Sequence, residues 1–103
     1  MTVMRVELAP SAILQATTVE AWWRENRPAA SELFMDELTA ALSLLGLGPR
    51  IGRPYAESAV VGMRRLLMPR TRHHVYYTVN EREGLVLVHA VWHVSRGTAP
   101  TLA

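Results

Sequence analysis

The clearest pattern of hydrophobic and polar positions lies in the last third of the chain. Between Arg72 and Val79 apolar side chains alternate with polar ones, as expected for a strand with one buried face. Leu85–His93 is almost wholly apolar, which is typical of a strand in the interior of a sheet. The intervening NEREG segment contains a glycine and predicts a short hairpin loop. Val60–Met68 is a third apolar run, and we expect it to form the neighbouring strand.

The beginning of the chain predicts a short strand followed by a helix. Met4–Leu8 has the pattern of a strand, and Ser11 just after it is an expected N-cap. Apolar residues then recur at i, i+4, i+7 and i+11, which places one apolar stripe on a helix that runs to about Glu25. The stripe consists of Ala12, Ala16, Val19 and Trp23.

A second helix is predicted directly after the first. Asn26 and Arg27 interrupt the first pattern, and Pro28 suits the first turn of a new helix. The second apolar stripe consists of Ala30, Phe34, Leu38, Ala41 and Leu45. Gly46, Gly48 and Pro49 should end this helix, and the Gly-, Pro- and Arg-rich segment that follows is predicted to be a loop. Two helices joined so tightly predict an antiparallel hairpin.

These elements follow one another in the order β-α-α-β-β-β. The sequence therefore predicts an α+β fold in which a helical hairpin packs on a small, mainly antiparallel, curved sheet. With 103 residues the chain has room for one core, so residues 1–103 are expected to form a single domain. No apolar run approaches the roughly 18 residues of a membrane span. Because the chain also lacks cysteine and a leader-like N-terminus, we expect a cytoplasmic protein.

The basic residues are unusual in type and in distribution. All 11 are arginine, and eight of them lie from Arg50 onward. This basic C-terminal half is suited to phosphates or to an acidic protein partner. Solvated sheet edges would give the same pattern, and a compositional bias of the genome would explain the missing lysine, so charge alone does not identify a partner.

Five short motifs occur along the chain in the order found in one family of small proteins. They are WWRENRPAASELF (Trp22–Phe34), PRIGRPY (Pro49–Tyr55), GMRRLL (Gly62–Leu67), HVYYTV (His74–Val79) and AVWHVSRG (Ala90–Gly97). With the predicted element order, they make the chain resemble the RelE/ParE superfamily of bacterial type II toxins over nearly its whole length. The resemblance implies a small toxin made beside an acidic antitoxin that wraps over its surface. It leaves the target open, because ParE-like members inhibit DNA gyrase and RelE-like members cleave mRNA on the ribosome.

The residue types favour the ParE-like branch. Metal-free RNA cleavage needs groups that transfer protons and stabilise the phosphate, and the candidates here are His93, Arg65 and Arg96. RelE-like nucleases resemble one another in a lysine-rich sheet face and a tyrosine near the C-terminus, whereas this chain has no lysine and its closing TAPTLA segment has no tyrosine. Arginine is a poor proton donor or acceptor. We therefore expect a ParE-like toxin that acts by binding gyrase, with the ribosome-dependent nuclease as the first alternative and a non-toxic orphan as the second.

One set of polar residues is predicted to bind the target. It comprises Arg64, Arg65, Arg72, His93 and Arg96. Two of them also suit a purely structural role. His93 could form a hydrogen bond to the backbone at a strand end, and Arg65 could form an ion pair with Glu32 or Glu37. Tyr77 is expected to be the buried member of the tyrosine pair, with Tyr76 on the opposite face.

Neither a metal nor a cofactor is predicted. His73 and His74 are consecutive in a predicted strand, so their side chains should point to opposite faces and not bind one ion together. No phosphate-binding loop, dinucleotide fingerprint or nucleophile triad is present.

A second set of residues is predicted to bind the antitoxin in a hetero-oligomer. A ParD-like acidic antitoxin should recognise apolar side chains that the toxin leaves exposed, and the two-helix hairpin with the sheet edge of the toxin is the expected place for an amphipathic helix or an added strand. The candidates are Trp22, Met35, Leu44 and Leu47. Trp22 lies beside the first helical stripe, so packing between helix and sheet is its alternative, whereas Trp23 lies on the stripe and is expected in the core.

Overall fold

Two helices pack on one face of a five-stranded sheet, which confirms the predicted α+β architecture. The computed structural model describes residues 3–96 and 98–102; Met1, Thr2, Gly97 and Ala103, including the last glycine of the AVWHVSRG motif, lie outside the described residues. The elements are β1 (Arg5–Leu8), α1 (Pro10–Asn26), a 3-10 turn (Pro28–Ala30), α2 (Leu33–Leu47), β2 (Arg53–Pro54), β3 (Arg64–Met68), β4 (His73–Asn80) and β5 (Leu85–His93). No helix among the described residues is both long enough and apolar enough to cross a membrane.

The sheet is mixed, with the strand order β1-β5-β4-β3-β2. β1 pairs parallel with β5, and the other three pairs are antiparallel. The helical hairpin carries the chain from β1 at one edge of the sheet to β2 at the other edge, and β3 and β4 lead back to β5 beside β1. β2 was predicted to be loop, and that prediction is wrong: Arg53 and Pro54 pair with Arg65 and Arg64 at the sheet edge. Proline is tolerated there because an edge strand has one side without ladder partners.

Both helices begin differently from the prediction. α1 begins at Pro10 with Ala9 as its N-cap and no side-chain capping bond, since the fixed φ of proline suits the first helical position. Ser11 is therefore not the N-cap. Pro28 begins a separate 3-10 turn, and α2 starts only at Leu33, so Ala30 is exposed and outside the apolar stripe.

Gly46 does not end α2 but lies in its last turn, and Gly48 is the C-cap. The absence of a side chain at Gly46 is needed for contact with the first strand. A Cβ atom at Gly46 would lie 3.0 Å from the carbonyl oxygen of Met4, whose backbone N–H donates to the Gly46 carbonyl at 2.9 Å. This close approach attaches the end of α2 to the start of β1.

The main core lies between the helices and the sheet. α2 contributes three large side chains, and α1 contributes two alanines that let it lie close to β5. The fully or nearly fully buried members are Ala12, Ala16, Phe34, Leu38, Ala41, Leu45, Met68, Val75, Tyr77, Val86, Val88 and Val91. Apart from Ala30, the two predicted stripes therefore face this core, with Val19 and Trp23 packed at its margin.

A β-bulge in β5 changes which residues face the helices. Tyr76 pairs with Ala90 while Tyr77 pairs with Val88, so His89 is the extra residue. α1 satisfies the backbone there, because Ser11 Oγ donates to the His89 carbonyl at 3.3 Å and Gln15 Oε1 accepts from Val91 N–H at 2.8 Å. The bulge places both Val88 and Val91 on the helix-facing side of the sheet.

Candidate functional site

The sheet face opposite the helices carries a cluster of arginine and aromatic side chains. We define this outer-face cluster as Arg53, Tyr55, Arg65, His74 and Tyr76. The Arg65 guanidinium lies 4.9 Å from the centroid of the Tyr55 ring, and its Nη1 donates to Tyr76 Oη at 3.5 Å. The Tyr55 and Tyr76 rings meet edge to face at 5.2 Å. Arg65 is thus held against aromatic rings and forms no ion pair with Glu32 or Glu37.

Tyr76 is on the face opposite Tyr77, as predicted, but it is also buried, with only 3% exposure. Met63 and Ala90 complete its buried surroundings, and Leu102 from the C-terminal segment packs against them. The sheet therefore has a small second core on the outer face. The C-terminal segment is also connected to β5, because Trp92 Nε1 donates to the Thr98 carbonyl at 2.7 Å.

Two arginines of the outer-face cluster lie directly opposite each other. Arg53 on β2 pairs across the strands with Arg65 on β3, so both side chains leave the same face. Among the described residues, neither has a carboxylate within the 4.0 Å of an ion pair. The positive potential reaches His74, whose pKa is lowered by burial and then by Arg65. Like charges placed opposite each other are destabilising, and an anionic partner would remove that cost.

The other predicted target-binding residues lie elsewhere. Arg64 points toward the helix-facing side, where its Nη1 donates to the carbonyls of Gly52 at 2.6 Å and Arg50 at 3.1 Å. Gly52 in turn donates its N–H to the buried Tyr77 hydroxyl at 2.8 Å. Arg64 therefore holds a loop. Arg72 is exposed in the β3–β4 turn with a φ of 64° and is not part of a strand.

His93 and Arg96 lie at the end of an open groove between α1 and β5. This α1–β5 groove has a volume of about 600 Å³, within the usual range for ligand pockets. Its apolar wall is formed mainly by Leu14, Val19, Trp22, Trp23 and Val91, and its polar side chains include Arg27, His73, His93 and Arg96. The Arg96 guanidinium stacks at 4.0 Å on the ring of Trp92.

A hydrogen-bonded chain connects α2 to this groove. The Glu37 carboxylate accepts from Arg70 N–H at 2.7 Å, Thr71 N–H at 2.9 Å and Thr71 Oγ1 at 2.7 Å. Because Thr71 donates its hydroxyl proton to Glu37, its oxygen is the acceptor for His73 Nδ1 at 3.3 Å. His73 thus carries its proton on Nδ1, and its ring contacts His93 edge to face at 4.9 Å.

The two histidines have different hydrogen-bond roles. Burial, with the nearby His93, lowers the pKa of His73 from 6.5 to about 4, so this ring is neutral at physiological pH. His93 Nδ1 accepts from Ser95 N–H at 3.1 Å and lies 2.7 Å from Ser95 Oγ, which leaves its Nε2 as the donor. The prediction that His93 bonds to backbone at a strand end is confirmed.

The three residues considered for nuclease catalysis do not form one cluster. Arg65 belongs to the outer-face cluster, whereas His93 contacts His73 on the helix-facing side. Arg65 and His93 therefore leave opposite faces of the sheet, and of the two neighbouring arginines Arg64 is the one on the side of His93. Within residues 3–96 and 98–102, no group of three or more His, Asp or Glu side chains is placed to hold a metal ion.

The four residues predicted to bind the antitoxin are all exposed on the helices. Trp22, Met35, Leu44 and Leu47 are between 39% and 58% exposed. Trp22 meets Trp23 edge to face at 5.8 Å and lines the α1–β5 groove. Met35 lines a smaller groove of about 380 Å³ between α1 and α2. Ile13 and Leu14 on α1 are 53% and 68% exposed, and the sequence analysis did not select them.

The match to a known family extends over most of the chain. A family model described as the ParE toxin of the type II toxin-antitoxin system parDE matches residues 6–97. The chain belongs to the ParE toxin family. This confirms the resemblance to the RelE/ParE superfamily and its closer relation to ParE. Search of the curated proteins finds no match.

Solved structures of similar fold come from both branches of the superfamily. The chromosomal ParDE system from P. aeruginosa has a TM-score of 0.72 at 14% identity, covering 90% of this chain and 98% of that one. The RelBE2 toxin-antitoxin complex from Mycobacterium tuberculosis has a TM-score of 0.64 at 16% identity, with 93% and 97% covered. The intact E. coli RelBE complex has a TM-score of 0.59 at 16% identity, with 90% and 99% covered. Likeness at these identities establishes the fold of this ParE family member.

Proposed function

We propose that this ParE family protein is a cytoplasmic toxin that inhibits DNA gyrase by binding it and is neutralised by a cognate acidic antitoxin. Family membership supports the toxin role. The observation that supports action by binding is the Arg53–Arg65 pair, two opposed cations without an ion pair among the described residues, of which Arg65 is held against Tyr55 and Tyr76. Arginine and tyrosine are the residue types that most often dominate binding energy at protein interfaces.

The same geometry gives little support to RNA cleavage. A nuclease needs a proton-transfer group beside the cations that stabilise the phosphate. In the outer-face cluster the cations have His74 and two tyrosines as neighbours, and burial and Arg65 make His74 a weaker base. His93, with an available Nε2 donor, is on the other side of the sheet. The outer-face cluster is thus better suited to holding an acidic surface than to exchanging protons.

The test compares gyrase inhibition by two double variants. Arg53→Gln with Arg65→Gln removes the opposed pair, and Arg24→Gln with Arg82→Gln removes the same charge from α1 and the β4–β5 turn. The first should raise the concentration for half-inhibition of supercoiling by about tenfold or more, which corresponds to about 1.4 kcal/mol of binding free energy. The second should change it less than twofold. Equal effects of the two would show that net charge, and not this pair, is responsible.

The alternative function is tested on the same preparation. Ribosome-bound mRNA should remain intact in the presence of the toxin, and growth arrest after induced expression should disappear with Arg53→Gln and Arg65→Gln. Cleavage of ribosome-bound mRNA that is lost in His93→Ala would contradict the proposal and assign the protein to the nuclease branch. Absence of inhibition, cleavage and growth arrest would identify a non-toxic member of the family.

A further inference from the structure

β1 lies at one edge of the sheet, and one side of its backbone is unpaired. It pairs only with β5. The Arg5 N–H donates to the Gly84 carbonyl at 2.9 Å and the Ala9 N–H to the Val88 carbonyl at 2.8 Å. Because alternate residues of a strand direct their backbone groups to the same side, the N–H and carbonyl of Val6 point away from β5. Among the described residues no turn, loop or helix end bonds to them, so this edge is a template for another strand.

The outer face of β1 carries one cation and one anion, placed symmetrically about Val6. Val6 packs against the main core, so Arg5 and Glu7 on either side of it leave the opposite face. Their side chains are 63% and 50% exposed and form an ion pair with Arg5 Nε 2.6 Å from Glu7 Oε2. An edge whose charges are of one sign repels its own copy. This edge has opposite charges at equal distances from its centre, so it is complementary to itself.

The sequence of β1 selects one register for such a pairing. With a two-fold centre at Val6, the free backbone groups of the two Val6 residues meet, and Arg5 of each copy lies opposite Glu7 of the other. These are non-hydrogen-bonded positions, where the Cα atoms are only about 4.5 Å apart and side chains are close. A centre at Arg5 or Glu7 would place like charges directly opposite, which is destabilising. A centre at Leu8 would place Pro10, which has no N–H, opposite Val6.

Exposed apolar side chains lie beside this edge where α2 ends. Val3 is 62% exposed and Leu47 is 58% exposed. Both adjoin Gly46, at which a Cβ atom would lie 3.4 Å from Val3 Cγ1 and 3.6 Å from Val6 Cγ2. In the register centred on Val6, this end of each copy meets the Leu8 end of the other strand. Removal of these apolar side chains from water would add to the strand pairing.

We propose that β1 is a self-association edge, at which a second copy of the chain pairs antiparallel about Val6 and Arg5 and Glu7 form two reciprocal ion pairs. A second copy fits because the exchange of charges satisfies both strands at once, and two-fold dimers are the commonest assemblies of identical chains. The α2 carbonyl of Gly46 already occupies the Met4 N–H, so the strand pairing is short. The dimer should therefore be weak, with a dissociation constant on the order of 100 μM. This inference goes beyond the proposed function and depends on neither gyrase nor an antitoxin.

Sedimentation velocity of the full-length protein over a range of concentrations measures the association. Arg5→Glu and Glu7→Arg each convert both reciprocal pairs into like-charge contacts, and each should weaken dimerisation about tenfold or more. Arg24→Glu is the matched control, because it reverses the same charge and removes an ion pair with Glu20 on α1. It should change dimerisation less than about twofold. Circular dichroism on heating shows whether each variant is folded.

An equal mixture of Arg5→Glu and Glu7→Arg tests the register itself. One copy then presents two carboxylates at these positions and the other presents two guanidinium groups, so all facing charges are again opposite. The mixture should form a heterodimer at least as well as the wild type forms a homodimer, although each variant alone does not associate. Added salt should weaken the wild-type dimer.

Hydrogen exchange tests the backbone contact. The Val6 amide, which points away from β5, should exchange more slowly as the protein concentration rises. The Glu7 amide points toward β5 and should be protected at every concentration. A Val6 amide whose exchange is independent of concentration in a sample that dimerises would move the interface away from β1.

The remaining outcomes are equally decisive. A wild type that stays monomeric at about 1 mM, single variants that dimerise like the wild type, or a mixture that stays monomeric would each overturn the proposal. If the charge reversals weaken antitoxin binding and leave self-association unchanged, the edge receives a strand of the antitoxin and the proposal fails. The gyrase assay is read separately with Arg53→Gln and Arg65→Gln, so failure of this inference leaves the proposed function standing.

Discussion

The Glu37 carboxylate offers a quantitative test of how α2 holds the end of the sheet. Its two oxygens accept three hydrogen bonds from Arg70 and Thr71 in the β3–β4 turn. Hydrogen bonds to charged groups contribute about 1.5–3 kcal/mol each, less where water competes, and Glu37 is only half-buried. Glu37→Gln keeps one acceptor oxygen and loses the charge. We expect it to lower the free energy of unfolding by about 1–2 kcal/mol, and Glu37→Ala by about 2–4 kcal/mol, since Thr71 is buried.

The pH dependence gives an independent check of the same contact. Burial raises the pKa of Glu37, but the hydrogen bonds from the Thr71 side chain and from the Arg70 and Thr71 backbone outweigh it, so the pKa lies below 4.5. A carboxylate with a lowered folded pKa stabilises the fold above its unfolded pKa and loses that effect as the pH falls through the folded value. The difference between wild type and Glu37→Gln should therefore be full at pH 7 and should shrink below about pH 4.

Urea unfolding followed by circular dichroism measures both effects. Glu32→Gln is the matched control, because Glu32 is an exposed carboxylate at the start of the same helix, and it should change stability by less than about 0.5 kcal/mol. The reasoning is refuted if the two variants lose the same stability, or if the Glu37→Gln difference is unchanged at pH 3.5.

Two further predictions concern buried polar groups. The pKa of His73 is lowered to about 4, so this side chain stays neutral in the folded protein, whereas in the unfolded chain it binds a proton below about pH 6.5. The free energy of unfolding of the wild type should therefore fall by up to about 3 kcal/mol between pH 6.5 and 4. In His73→Gln, the midpoint of urea unfolding should depend less on pH over this range. Tyr77→Phe removes the acceptor of the buried Gly52 N–H and should cost about 1–3 kcal/mol in urea unfolding. A Tyr77→Phe protein as stable as wild type would show that water replaces the hydroxyl.

The long elements were predictable from sequence because each repeats its pattern several times. α2 presents Phe34, Leu38 and Leu45 on one side, and β5 is apolar along most of its length, so single exceptions do not hide the element. β2 has only two residues, which is too short for any period, and its existence depends on pairing with β3. Ser11 was predicted to be the N-cap of α1 because serine is common at that position. In the structure its hydroxyl instead donates to the His89 carbonyl at the β-bulge.

The candidate sites were predictable in part. Exposure of Trp22, Met35, Leu44 and Leu47 follows from their positions off the helical stripes. The relation between Arg65 and His93 depends on strand register: Arg65 pairs with Tyr76 and Tyr76 with Ala90, so His93, three residues after Ala90, leaves the opposite face. Arg53 and Arg27 were missed for the same reason. Arg53 becomes important only when it lies opposite Arg65, and Arg27 only when the end of β5 approaches α1.

The charge distribution bears on how the outer-face cluster would meet its target. From Arg50 onward, eight arginines are offset by three acidic residues, a net charge of +5, whereas the first 49 residues contain three arginines and six acids, a net charge of −3. The small net charge of +2 is therefore the sum of an acidic N-terminal part and a basic C-terminal part. Within the described structure, α1 and α2 carry four of the acids and Glu32 is the N-cap of α2, while the sheet and its loops carry most of the arginines. Arg27, the C-cap residue of α1, departs from this division and lines the α1–β5 groove together with Arg96. An acidic target surface would thus be attracted to the outer-face cluster and repelled by much of the helical surface, which favours one orientation of docking over the others.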